Sequence, residues 1–138
     1  MKVPRTIEWI PDATESILPG RIRLIDQTQL PLTLDYVDTD DVSVIWHAIR
    51  ILQVRGAPAI GIAAAMGVAT AVQHSTAQGV ALLEEVMAAA DYLATSRPTA
   101  VNLFWALDRM CAVAKDNGAL PAEQLKLQLV QEAMRIRD

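Results

Sequence analysis

The stretch Arg55-Gly56-Ala57-Pro58-Ala59-Ile60-Gly61-Ile62-Ala63-Ala64-Ala65 decides the fold of this chain. Pro58 fits the first turn of a helix, because its missing N–H would have no partner there in any case. The helix that it opens carries these small residues: Gly61, Ala63, Ala64, Ala65, Gly67, Ala69 and Ala71. Small side chains let neighbouring helices approach closely, so the stretch predicts the central helix of a bundle.

Helical patterns lie on both sides of this central helix. Before it, Thr39-Asp40-Asp41 can cap a helix whose apolar residues recur at spacings of three and four. Those apolar residues are Val42, Ile45, Trp46, Ile49 and Leu52. After it, the pattern predicts helices over residues 79–94, 100–115 and 121–138. Asn117-Gly118 is a stop signal for the second of these, and Pro121 can open the third.

The first part of the chain has the alternating pattern of short strands. Polar and apolar residues alternate in residues 6–10 and 21–26, and again in residues 32–37 after Pro31. Pro11-Asp12 and Pro19-Gly20 are turn signals. We therefore expect an α+β fold, with a small N-terminal antiparallel sheet in residues 1–38 and a bundle of about five α-helices in residues 39–138.

Composition excludes several classes of protein. The 138 residues are 52% hydrophobic, which is enough to bury a core. The net charge is −4 and the basic residues are scattered, which argues against a nucleic-acid partner. The single cysteine, Cys111, excludes a disulfide framework, so we expect a cytoplasmic protein. No apolar signal-peptide core follows Met1, and the uncharged residues 56–83 contain too much Ala, Gly and polar sequence for a membrane span.

Two places in the sequence are suited to binding an anion. A helix N-terminus presents unpaired N–H groups and a partial positive charge, and Arg55-Gly56-Ala57-Pro58 adds a guanidinium and a close backbone approach there. Ser96-Arg97-Pro98-Thr99 repeats the arrangement, with Ser96 or Thr99 as a possible cap for the next helix. The two arginines would converge on one anion if the helix starts lie side by side. In each place, the alternative is an ordinary helix start with a solvent-exposed arginine.

Other reactive residue types are better explained by structural roles. Cys111 lies within a helical pattern and is expected to be a small core residue. His47 and His74 are far apart and have no clustered carboxylates, so we expect no metal site and no cofactor. Asp108-Arg109 is expected to support a helix surface or a neighbouring loop.

Four blocks of the sequence resemble methylthioribose-1-phosphate isomerases. Residues 55–65 look like the family's signature, and residues 96–110, from Ser96 through Asn102-Leu103-Phe104-Trp105 to Met110, look like its second block. Residues 6–9 and 24–31 resemble its opening strands. The blocks occur in the family's order and cover essentially the whole chain.

The resemblance implies an aldose–ketose isomerase of methionine salvage, which converts 5-methylthioribose 1-phosphate to 5-methylthioribulose 1-phosphate. The family's substrate-binding residues map onto Arg55, Gly56, Ala57 and Arg97. Its catalytic cysteine and aspartate lie in a C-terminal Rossmann-like domain beyond the end of this sequence. Neither Cys111 nor Asp108 matches them, so the resemblance assigns no catalytic residue here.

The resemblance therefore implies the N-terminal domain of a longer chain, and the last predicted helix has no stop signal at Asp138. We expect these residues alone to be inactive. We also expect an exposed apolar patch where a second domain would dock, through which the chain would self-associate, as a homodimer for example.

Three other interpretations remain open at this point. The same superfamily includes non-catalytic regulatory subunits of the nucleotide-exchange factor in translation initiation. It also includes ribose-1,5-bisphosphate isomerase, although the block Asn102-Leu103-Phe104-Trp105 favours the methylthioribose enzyme. The third is a purely structural, stand-alone helical domain.

Overall fold

The structure is a computed structural model that describes residues 7–26, 36–51 and 57–137, without the side chains of residues 57 and 137. The strands are β1 (Ile7–Pro11), β2 (Gly20–Ile25) and β3 (Tyr36–Thr39). The helices are α1 (Val42–Arg50), α2 (Ala57–Val72), α3 (Gly79–Ala94), α4 (Val101–Asp116) and α5 (Ala122–Arg137). The order of a small sheet followed by helices confirms the predicted α+β class.

The strands form one antiparallel sheet in the order β1-β2-β3. Trp9 pairs with Ile22, and Leu24 pairs with Val37. Alternate residues of β1 and β2 face the helices, so Trp9, Ile22 and Leu24 are buried while Arg21 is exposed. β1 and β2 each lie within one residue of the predicted position.

The third strand differs from its predicted position. Most of the predicted segment, residues 32–35, lies outside the described residues. β3 continues past the predicted end at residue 37 to Thr39, because Asp38 and Thr39 still pair with Arg23 and Ile22 of β2.

The core is organised around α2, as predicted. This helix packs against α1, α3, α4 and α5 and also against β1 and β2. Apolar residues on all its sides are buried: Ile60, Ala63, Ala64, Ala65, Met66, Val68, Ala69 and Val72. A helix that is apolar all round needs such complete coverage. No helix in the described ranges combines the length and the apolar character that crossing a membrane requires.

Helix ends agree with the predicted signals in α3, α4 and α5, whereas α1 ends at Arg50 and the predicted Leu52 lies outside the described residues. The Asp41 carboxylate accepts a hydrogen bond from the Ser43 N–H at 2.8 Å and caps α1. α3 has its predicted bounds, and its first residue, Gly79, has φ 58°, a conformation that side chains disfavour. α4 and α5 begin one residue later than predicted, and Asn117 caps the end of α4.

Gln73 joins the sheet to the helical bundle. The Gly20 N–H donates to Gln73 Oε1, and Gln73 Nε2 donates to the Gly20 carbonyl oxygen, each at 2.9 Å. The Gln73 side chain is buried, and it pairs both backbone groups of a residue at the start of β2. The side-chain amide thus makes the pair of backbone hydrogen bonds that a neighbouring strand would otherwise make.

We expect Gln73→Ala to reduce the free energy of unfolding by about 2 kcal/mol, because it leaves the Gly20 N–H and carbonyl buried without partners. Urea unfolding followed by circular dichroism measures the change. Gln124→Ala, which removes an exposed glutamine from α5, is the matched control and should leave the free energy nearly unchanged. Equal effects of the two substitutions would contradict the proposed role of Gln73.

Candidate anion-binding site

Hydrogen bonds hold the residues that end α3, and the turn that carries Arg97 follows directly from them. The Ser96 N–H and hydroxyl both donate to the Leu93 carbonyl oxygen, at 3.1 and 2.6 Å. Trp46 Nε1 of α1 donates to Thr95 Oγ1 at 2.9 Å. The Trp46 ring also stacks on Tyr92, with 6.0 Å between ring centroids. α1 therefore fixes the end of α3, from which Arg97 follows.

The predicted caps of α4, Ser96 and Thr99, are wrong. The Ser96 hydroxyl turns back to Leu93, and the N-cap of α4 is Ala100, which has no capping side chain. The reason is an intervening turn, in which the Ala100 N–H donates to the Arg97 carbonyl oxygen at 3.0 Å. Pro98 therefore lies in this turn and not in the first turn of the helix.

The first turn of α4 packs directly against α2 at Gly61, the fifth residue of α2. A Cβ atom placed on Gly61 would lie 3.1 Å from the Asn102 carbonyl oxygen and 3.6 Å from the Ala106 Cβ. The start of α4 thus lies beside α2 about one turn after Pro58. Arg55, Gly56 and the Ala57 side chain lie outside the described residues, so their convergence with Arg97 stays a prediction.

The electrostatics near Arg97 favour an anion. The first turns of α2 and α4 contain no acidic residue that would neutralise the helix N-termini. Arg97 is half-buried, and it takes part in none of the ion pairs that the structure records between described side chains. A cation without a carboxylate partner beside a free helix N-terminus is suited to phosphate.

A second arginine of the same sequence block, Arg109, has a structural role. Its Nε donates to Glu132 Oε2 of α5 at 2.6 Å, and its guanidinium lies 5.3 Å from the centroid of the Trp105 ring. Arg135 donates to the other oxygen of Glu132 at 2.7 Å. Asp108-Arg109 was expected to support a helix surface or a neighbouring loop, and Arg109 in fact binds a side chain of the next helix. Its partner is 23 residues away in the sequence, and no short-range pattern indicated it.

These two arginines lower the pKa of the Glu132 carboxylate. Burial by itself would raise its pKa, but the hydrogen bonds from Arg135 and Arg109 outweigh burial and hold the pKa below its ordinary value. Glu132 is therefore a buried anion compensated by two cations, which ties α5 to α4.

Cys111 lines a groove between α3 and α4 with a volume of about 210 Å³, beside Met87, Phe104 and Lys115. Cys111 was expected to be a buried core residue, but it is half-buried. The reason is that its position on α4 faces this groove. Burial raises the pKa of the thiol, and Lys115 only partly opposes this. A nucleophilic cysteine usually has a lowered pKa, so this shift does not favour a nucleophilic role for Cys111.

The two histidines lie on different elements, His47 within α1 and His74 just after α2. His74 Nε2 lies 3.7 Å from Asp40 Oδ2, and both side chains are exposed. In residues 7–26, 36–51 and 57–137, no group of three or more His, Cys, Asp or Glu side chains is arranged to hold a metal ion.

This chain is similar in sequence to one part of several longer proteins. The model of the initiation factor 2 subunit family matches residues 53–138. A methylthioribose-1-phosphate isomerase of Herpetosiphon aurantiacus is 53% identical over 116 residues, which are 83% of this chain and 33% of that protein. A 5-deoxyribose 1-phosphate isomerase of Bacillus cereus is 46% identical over 133 residues, or 94% of this chain and 35% of that protein.

Solved structures share the fold. The crystal structure of 5-methylthioribose 1-phosphate isomerase from Pyrococcus horikoshii OT3 superposes with a TM-score of 0.84 and 35% identity over 98% of this chain. That of the translation initiation factor eIF-2B, subunit delta, from A. fulgidus superposes with a TM-score of 0.81 and 37% identity over 96%. Each match covers 36% of the solved chain. This chain thus spans about a third of the length of its relatives.

We expect Glu132→Gln to lower the free energy of unfolding by about 1 to 2 kcal/mol at pH 7. A lowered carboxyl pKa contributes stability that is complete above the ordinary glutamate value, about 4.3, and is lost as the pH falls through the lowered value. The difference between parent and variant should therefore shrink below about pH 4. Urea unfolding between neutral and acidic pH measures it.

The control is Glu84→Gln, which neutralises an exposed carboxylate on α3 and should change the stability little at any pH. If the Glu132→Gln difference stayed constant with pH, the charge of Glu132 would not be its source.

Proposed function

Because the chain belongs to the initiation factor 2 subunit family and has relatives named as sugar-phosphate isomerases, we propose that it forms the substrate-binding part of an aldose–ketose isomerase. The proposed reaction converts 5-methylthioribose 1-phosphate to 5-methylthioribulose 1-phosphate, a step of methionine salvage. A cytoplasmic location remains part of this proposal.

One observation in the structure carries the proposal. The half-buried Arg97 has no carboxylate partner among the described side chains, and it lies in the turn before α4, whose first turn packs against α2 at Gly61. A sugar phosphate brings a dianion that both helix N-termini and a guanidinium fork can bind. In the proposal, Arg97 binds the phosphate together with Arg55 and the backbone of Gly56 and Ala57.

The isomerisation itself is assigned to groups outside these residues. The phosphate on C1 blocks ordinary ring opening of the sugar, so the enzyme must act directly on a glycosyl phosphate. Such a reaction needs an acid and a base next to C1 and C2. Burial raises the pKa of Cys111, which does not favour a role as the base, and the relatives are about three times as long as this chain. We propose that the missing groups lie in the remaining part of the relatives' fold.

The substrate has a close rival. 5-Deoxyribose 1-phosphate has the same ring and phosphate but lacks the methylthio group, and relatives of this chain carry that name. Ribose 1,5-bisphosphate would place a second dianion at the other end of the sugar. A phosphate site made from Arg97 and the α2 start fits all three, so the choice among them rests on the family names.

A second candidate function comes from another class. The superposition on a translation initiation factor subunit favours a regulatory role without catalysis. In that case no sugar phosphate would need to bind, and the Arg97 turn would be part of the fold or of a protein contact. Ligand binding therefore separates the two candidates.

We expect the chain to bind 5-methylthioribose 1-phosphate without converting it, and Arg97→Ala to weaken this binding roughly tenfold or more, because a charge-assisted bidentate contact is lost. Isothermal titration calorimetry measures binding, and proton NMR of the incubated sugar detects any ketose. Lys115→Ala removes a cation from the opposite end of α4 and serves as the matched control.

Three outcomes have different meanings. Binding that depends on Arg97 and not on Lys115 supports the substrate-binding role. No binding by the parent chain would contradict it and favour the regulatory alternative. Ketose formation by these residues alone would mean that their own side chains supply the acid and the base.

We also propose that the chain self-associates through the outer face of α4. Val101, Phe104 and Trp105 are 79%, 38% and 54% exposed, and their spacing puts them on one helix face. Sedimentation of the parent should therefore give a mass that rises with concentration. Val101→Ser combined with Phe104→Ser should restore the monomer, whereas Val80→Ser, an equally exposed valine of α3, should not. A parent that stays monomeric at high concentration would contradict the proposal.

A further inference from the structure

We propose that two copies of this chain associate through their α4 helices, which run antiparallel across a two-fold axis that passes between Cys111 and Ala112. This inference rests on the self-association that forms part of the proposed function, and it names the contacts that join the two copies. It does not depend on the substrate-binding role. The charges and the side-chain sizes along the outer face of α4 carry it.

The outer face of α4 is a continuous stripe along the helix. Val101, Phe104, Asp108 and Lys115 recur at the spacings that put residues on one side of a helix, and all four are exposed. Cys111 lies at the edge of this stripe, where it lines the groove between α3 and α4. α2, α3 and α5 pack against the other sides of α4. The stripe is therefore the side of α4 that remains open to a partner.

The two charged residues of the stripe, Asp108 and Lys115, are arranged to complement a second copy of themselves. They lie two helical turns apart, which is about 10 Å along the axis of α4. Neither takes part in the ion pairs that the structure records between described side chains. In a two-fold dimer, if residue i of one copy contacts residue j of the other, then j also contacts i. An antiparallel copy centred midway between the two charges therefore places each Asp108 opposite Lys115 of the second copy.

The midpoint between these charges is suited to a close approach of two helices. Cys111 and Ala112 lie there, and both have small side chains. Two helices that meet at small side chains can approach to about 8 Å between their axes. An axis at Asp108 would instead place the two Asp108 carboxylates opposite each other, which is unfavourable. Charge and side-chain size thus select the same register.

Apolar residues extend the contact on both sides of this centre. In the same register, Phe104 of one copy lies at the level of the turn between α4 and α5 of the other, and that turn exposes Ala119 and Pro121. Met87 of α3 lines the groove with Phe104, and each of these two side chains is 38% exposed. Association would remove this apolar surface from water, while the charged pairs would fix the register.

The first test exchanges the two charges. Asp108→Lys should weaken the dimer roughly tenfold or more, because it places like charges opposite each other at two symmetric points. Lys115→Asp should weaken it in the same way, and the double variant, in which the charges are swapped, should return close to the parent affinity. Sedimentation velocity over a range of concentrations measures the dissociation constants. The control is Glu15→Lys, which changes the net charge as Asp108→Lys does but lies in the exposed loop between β1 and β2.

The second test reports the register directly. Cys111 is the single cysteine of the chain, and the proposed axis places it beside Cys111 of the second copy, so a short bis-maleimide should join the two chains. The matched control combines Cys111→Ala with Val101→Cys, which moves the thiol along the same stripe. This thiol would lie about ten residues from the axis and about 30 Å from its copy, so the reagent should not join the chains.

The outcomes separate this inference from the rest of the proposed function. Recovery of the dimer in the charge-swapped variant, together with joining through position 111 alone, supports the proposed register. A dimer that tolerates both single charge substitutions, or that is joined through position 101 and not 111, overturns this register and leaves self-association standing. A monomeric parent overturns both. Binding of 5-methylthioribose 1-phosphate by the same samples tests the substrate-binding role independently.

Discussion

Burial of most of α2 is the constraint on which the rest of the structure depends. This uncharged helix is almost entirely apolar, so four helices and the sheet cover most of it, leaving Pro58 and Ala71 near its ends exposed. Its glycines and alanines permit this, because they let a carbonyl of α4 and the side chains of α1 and α3 come into direct contact with it. The positions of the other helices, and with them the helix starts of the candidate site, follow from this packing.

Outside this core, single polar side chains fix the parts that α2 does not hold. Gln73 pairs both backbone groups of Gly20, Trp46 holds the end of α3 through Thr95, and Glu132 joins α4 and α5. Each of these contacts joins two residues that are at least 23 positions apart in the sequence. The candidate site therefore depends on a frame in which the Arg97 turn is supported from α1 and the first turn of α4 is supported from α2.

Much of this arrangement was predictable from local pattern. Residue spacing located α3, α4 and α5 to within a residue, and Pro58 together with the small residues identified the central helix, because these signals act over one or two turns. The cap of α4 was mispredicted, because the choice between Ser96, Thr99 and Ala100 depends on a turn that the residue types alone do not specify. The Arg109–Glu132 pair could not be predicted, since only the packing of α4 on α5 brings the two together. For the site, sequence indicated Arg97 and the two helix starts, whereas the contact of the first turn of α4 with Gly61 of α2 required the structure.

The double use of the stretch from Pro58 onward has a consequence for how such sequences are interpreted. Its small residues are demanded by the interior of the bundle, whatever the chain does with the helix start that precedes them. A member of the family that had lost its chemistry would still have to keep them in order to fold. This stretch is thus evidence of the fold. Its presence in a sequence does not by itself show that the protein is an enzyme. The positions that indicate function are those whose side chains the fold does not require. Position 97 is one of them, because the Arg97 guanidinium has no carboxylate partner among the described side chains.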